Sequence, residues 1–161
     1  VSIHEIEDIL KNNAVLALPI LKEAKTIINP ELLAKYKDCK FTKSNTKNFI
    51  ESSVRILELN KKGLELDFEL GSLVYSLMLR MRGLLMIKLM LNDKLYSKSQ
   101  LFDYLENNGF SMNKIEELYK IYSKERNNIK VKDSSIINKE DVLKLLSLAE
   151  KLLQEVKSFL K

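Results

Sequence analysis

The chain has 161 residues, 27 Lys+Arg against 22 Asp+Glu, a formal net charge of +5, and only 4 Gly, 2 Pro, 1 Cys, 1 His and no Trp. That length suits one domain that buries about two thirds of its unfolded surface and needs no disulfide or metal to fold. A lone His4 excludes sites built on two imidazoles, a lone Cys39 excludes an internal bridge and fits a reducing, cytoplasmic setting, and scarce Gly and Pro argue against β-hairpins.

In chain order, the first eight residues carry His4, Glu5, Glu7 and Asp8 rather than a basic cap and an apolar run, so no secretory signal is expected. Helices are predicted over 3–11 and 14–28, with Pro19 beginning or kinking the second. A short one follows over 31–36, since Pro30 suits a first helical position. Residues 38–46 are polar and lack an apolar period except Phe41, which predicts a seam between a helical extension (1–45) and a bundle (46–161). Beyond it, Ile50, Val54 and Leu57 share one face of a helix over 48–62, with Gly63 as its stop.

A long helix is predicted over 67–91, opened near Asp67 and stopped at Asn92-Asp93. Two adjoining stripes, one with Leu73, Leu77, Met81 and Leu84, the other with Val74, Met78 and Leu85, make it apolar over more than half its girth, as suits the centre of a bundle. Arg80, Arg82 and Lys88 interrupt it. Each charge costs about 2.5–3.5 kcal/mol near a bilayer centre, so a core helix is expected and no membrane span. Arg80 and Arg82, about 200° apart around a helix, point to opposite sides; one is expected to reach the rim and the other to pair with a carboxylate, the alternative being a buried arginine that lines a pocket. Met78, Met81, Met86 and Met90 read as gap-filling core.

Two shorter helices follow. Ser97 or Ser99 opens one holding Leu101, Phe102 and Leu105, closed at Asn107-Asn108-Gly109; Asn113 caps the next, which holds Ile115, Leu118, Tyr119 and Tyr122 and ends near Asn127. The last helix, over about 139–160, has an apolar stripe from Val142 to Leu160, Asn138 as N-cap, and Glu140 and Asp141 in its first turn. The fold class is all-α, an up-and-down helical bundle with a short N-terminal helical extension.

Several chemistries lack their motifs. The sequence has neither a G-x-x-x-x-G-K-[ST] nor a G-x-G-x-x-G phosphate loop, nor a G-x-S-x-G elbow, and the trio Glu65, Asp67, Glu69 is spaced around a helix rather than gathered on one face. No metal or cofactor is expected.

The stretch Glu125-Arg126-Asn127-Asn128-Ile129-Lys130-Val131, set between a long central helix with short followers and a final amphipathic helix, resembles the HEPN family and its R-N-x-x-x-H motif. The likeness spans about 115 residues, from 46 to 161, and includes Asp67-Phe68 and Lys88 of the long helix. It implies Arg126 as the motif arginine, Asn127 as its polar neighbour, and RNA cleavage in catalytic members, with histidine moving the proton. Here Val131 stands at the histidine position, and valine neither takes nor gives a proton. The expectation is therefore a non-catalytic bundle, a homodimer by resemblance, whose Arg126, Asn127 and Lys130 bind RNA, a nucleotide or a protein partner such as a nucleotidyltransferase. Two alternatives stand beside it. One is a metal-independent ribonuclease centred on Arg126 with Tyr122 or Glu125; the other is a purely structural interaction protein, Arg126 laying its stem on Tyr119 or Tyr122.

Overall fold

The computed structural model describes residues 3–24, 30–129 and 136–160. Among them are eight helices and no strand: α1 (Ile3–Asn12), α2 (Ala14–Glu23), α3 (Pro30–Lys37), α4 (Lys43–Glu65), α5 (Leu70–Leu91), α6 (Lys98–Asn107), α7 (Met112–Arg126) and α8 (Lys139–Phe159). The protein is an all-α helical bundle.

At the centre lies α5, packed against α4, α7 and α8. Its Val74, Leu77, Met78, Met81, Leu84 and Ile87 are fully buried, which uses both apolar stripes. By length and composition α5 could cross a membrane, yet 56% of its most apolar stretch is buried inside the fold. Met78, Met81 and Met90 fill core, whereas Met86 is half-buried.

Helix starts follow short-range hydrogen bonds. Asn138 caps α8 as expected: its Oδ1 accepts from Asp141 N at 3.0 Å, and Asp141 Oδ2 accepts from Asn138 N at 3.1 Å. Ser97 caps α6 through the same reciprocal arrangement with Gln100. At α7, Ser111 rather than Asn113 holds the N-cap position.

Within the polar stretch 38–46 the expected start of α4 is corrected. Thr42 and Asn45 form a capping box, Asn45 N donating to Thr42 Oγ1 (3.2 Å) and Thr42 N to Asn45 Oδ1 (2.8 Å), so α4 begins at Lys43 rather than 48. Phe41 and Thr46 are buried there. At the other end α4 runs through Gly63. A side chain at 63 would crowd Leu73 and the Phe68 ring, so this glycine is where the α4–α5 corner closes. The second helix also ends earlier than expected, at Glu23, because Ala24 is extended; Pro19 sits inside it. Residues 25–28, expected to continue it, lie outside the described residues.

Four helices stop in one way: a residue in the left-handed region, then an amide bonding back to a carbonyl of the last turn. The left-handed residues are Asp67, Asp93, Gly109 and Asn128. The bonds run from Phe68 N to Gly63 O, Lys94 N to Leu89 O, Phe110 N to Leu105 O and Ile129 N to Lys124 O, the Schellman pattern. Asp67 thus ends α4 and does not open α5, whose N-cap position, Glu69, makes no side-chain cap. The Asn127-Asn128 pair is the same device: Asn127 is the C-cap of α7 and Asn128 its left-handed turn.

The N-terminal helices are not set apart from this core. α1 packs on α2 and α4, and α2 on α4 and α5, with Ala14 and Leu18 fully buried in the same cluster as Leu77 and Leu152.

A cationic cleft between four helices

α2, α4, α5 and α7, with the start of α6, enclose a cleft of about 1060 Å³. Its floor is the row Leu79, Gly83 and Met86 on one face of α5. A side chain on Gly83 would overlap the Phe49 ring, so glycine lets the tip of that ring approach the helix. One rim comes from α4, with Asn48, Phe49 and Ser52, and another from α7, where Tyr119, Tyr122 and Arg126 recur at helical spacing. The wall opposite is α2, with Val15, Leu16, Pro19, Ile20 and Glu23.

Three of the chain's four arginines line this cleft, Arg80, Arg82 and Arg126, together with Lys98. Among the described residues Glu23 is the single carboxylate on its lining. The expectation that Arg80 or Arg82 pairs with a carboxylate is overturned. Arg80 Nη1 donates to Ser52 Oγ at 3.2 Å, and Arg82 Nη1 donates to Tyr122 Oη at 3.2 Å; neither forms an ion pair among the described residues. They do part, Arg80 toward α4 and Arg82 toward α7, as the helical spacing predicts. They flank the floor row, and their long stems bring both heads to the same opening.

Aromatic rings hold these cations in place. The Arg80 guanidinium lies 5.4 Å from the Phe49 centroid, Arg82 lies 5.6 Å from Tyr96, and Lys98 Nζ lies 4.2 Å from Tyr119. Tyr119 and Tyr122 are tilted neighbours at 5.8 Å, and Tyr75 stacks on Tyr122 at 5.7 Å. Burial holds Arg80 below the ordinary arginine pKa. Burial pulls Arg82 the same way, but its bond to the Tyr122 hydroxyl and the nearby phenols reverse the balance and leave it raised.

Of the residues singled out from sequence, Arg126 is in the cleft. Asn127 is exposed, caps α7 through its backbone N–H, and lies outside the lining. Lys130 and Val131 lie outside the described residues. His4 is exposed on α1, and Glu125 does not line the cleft. Lys88 pairs with Glu155 of α8 at 2.6 Å, and Asp67 of the acidic trio pairs with Lys139 at 2.5 Å. No group of three or more metal-ligating side chains gathers among the described residues. Sequence reasoning missed the contribution of α2 and offered pocket lining by Arg80 or Arg82 only as the alternative.

Burial pushes two phenols up to about 12, Tyr96 at the cleft and Tyr104 outside it, Glu155 adding to the second. A phenol whose pKa is raised by folding contributes stability that is complete below about 10 and lost as pH rises through 12. Stability measured by urea unfolding is therefore expected to fall between about pH 10 and 12, and less steeply in Tyr96→Phe and Tyr104→Phe. The Tyr104 hydroxyl is buried without a hydrogen-bond partner, so Tyr104→Phe is also expected to raise stability at neutral pH by about 1 kcal/mol. A destabilised Tyr104→Phe protein would contradict that.

Comparison with family models, with curated proteins and with solved structures gives no match to this chain.

Proposed function

We infer that this protein is a non-catalytic, HEPN-like helical bundle that binds an anionic partner in the cleft. One observation carries the reading: three of four arginines and Lys98 line one opening that, among the described residues, offers a single carboxylate. Cations left without a carboxylate partner at an open site keep most of their attraction for an incoming anion. RNA, a nucleotide or an acidic protein surface, the classes implied by the likeness to HEPN domains, would each supply that anion.

Catalysis through the phenols of the cleft is disfavoured. Tyr96, with its pKa near 12, is a poor base at neutral pH. Tyr122 is buried and already accepts a bond from Arg82. Val131 occupies the position where the resemblance calls for histidine.

The test is binding of two labelled polyanions, a short single-stranded RNA and a glutamate-rich peptide, at low ionic strength. At least one is expected to bind, its Kd rising with salt, and Arg82→Ala or Arg126→Ala is expected to weaken it about tenfold. The RNA is expected to be recovered intact. If neither polyanion binds, the cleft is not an anion site; if RNA is cut by wild-type protein and spared by Arg126→Ala, the protein is a ribonuclease.

A further inference from the structure

The cleft is not uniformly polar. Leu16 and Ile20 of α2 are 62% and 69% exposed, and Leu79 on the floor is 38% exposed. With Pro19 and Met86 they form one apolar strip along the same opening that carries the arginines. Contiguous exposed apolar surface bordered by charge marks an interaction site. The strip along α5 from Leu79 to Met86 is about 10 Å long, two helical turns.

We propose that the cleft seats an acidic amphipathic helix of a partner protein. Its apolar residues, at i, i+3 or i+4, and i+7, lie along Leu16, Ile20, Leu79 and Met86. Carboxylates on both flanks of that stripe meet the two cationic rims, Arg80 on the α4 side and Arg82 with Arg126 on the α7 side. This rests on the anion-binding reading and names the anion.

Two further observations select a helix over other occupants. Bases of a nucleic acid stack on open aromatic faces. Here Phe49, Tyr96 and Tyr119 already carry Arg80, Arg82 and Lys98 over their rings, and Phe102 meets Tyr119 edge-on. Leu16 and Ile20, moreover, offer nothing to a phosphate chain. A second copy of this protein closing cleft to cleft would set like charges against each other, a repulsive arrangement.

A labelled designed helix of about 15 residues, long enough to form a helix, tests this. It carries leucines at i, i+4 and i+7 and glutamates on both flanks. Two control peptides replace every glutamate by lysine or every leucine by serine. The first peptide is expected to bind and gain helical circular dichroism, and each control to bind at least tenfold more weakly. The double variant Leu16→Asp/Ile20→Asp and, separately, Arg82→Ala are each expected to weaken binding about tenfold. Residues 16 and 20 being exposed, the double variant is expected to keep the wild-type melting temperature.

The proposal fails, with the anion site intact, if the serine control binds as well as the leucine peptide, or if a short RNA binds more tightly than the peptide through the same arginines. It also fails if Leu16→Asp/Ile20→Asp turns a dimer into a monomer on gel filtration, which would make a second copy the occupant. If no anionic probe binds at all, the underlying reading fails too.

Discussion

Leu77→Ala is expected to lower the free energy of unfolding by about 3–4 kcal/mol and the melting temperature by roughly 10 °C. Leu77 lies at the middle of α5, fully buried, on the helix that α4, α7 and α8 all pack against. Removing its isobutyl end forfeits the transfer energy and leaves a void that three neighbouring helices cannot close without losing contacts of their own. Leu79, two residues on, faces the cleft and is 38% exposed. Its alanine variant should therefore lose under about 1 kcal/mol. Equal losses at 77 and 79, measured by urea unfolding, would mean that α5 is not seated as described.

The second large effect is electrostatic. Asp141→Ala is expected to cost about 2–3 kcal/mol. Asp141 is buried and does two jobs: one oxygen accepts from Asn138 N to complete the cap of α8, and the other accepts from Lys114 Nζ of α7 at 2.5 Å. Loss of the cap accounts for about 1 kcal/mol. A charge-assisted bond adds about 1.5–3 kcal/mol when the partner is stranded, but Lys114 is partly exposed and can turn to water, so the lower part of that range applies. Asp141→Asn keeps a cap acceptor and loses the charge, and should fall between wild type and alanine. A double-mutant cycle with Lys114→Ala isolates the ion pair; a coupling near zero would leave the cap as the sole role of Asp141.

Legibility in the sequence tracked the range of the interaction. Asn138 and the stripe of α8 are local features, and both ends of that helix were readable. The start of α4 was not. Its capping box uses Asn45 where Glu or Gln is the familiar signal, and it sits in a polar stretch without periodicity. Gly63 looked like a stop because glycine commonly is one, whereas the chain stops at Asp67, which tolerates the left-handed region but announces it weakly.

Of the local pattern at 126–127, Arg126 lines the cleft, whereas Asn127 lies at the C-cap of α7 and outside the lining. A helical wheel sends Arg80 and Arg82 to different sides, as found. It gives the direction of Cβ and not the reach of a six-atom stem, which lets both line one cleft. Whether a carboxylate waits for either is decided by α4 and α7, dozens of residues away. The part played by α2 was hidden for a similar reason: a short, mostly apolar helix does not reveal which of its leucines and isoleucines stay uncovered.

The manner in which the helices stop bears on the unfolded chain as well. Three of the four left-handed turns are written in Asp67, Asp93 and Asn128, and one in Gly109. An aspartate or asparagine held there carries strain of roughly 1 kcal/mol that glycine would avoid. Glycine, however, is the loosest link in a denatured chain, so each one omitted leaves about 0.4–1 kcal/mol less entropy to be surrendered on folding. The two quantities nearly offset. A protein with four glycines thus reverses direction as sharply as a richer one, and its scarcity of glycine is an economy of the denatured ensemble rather than a shortage of turns.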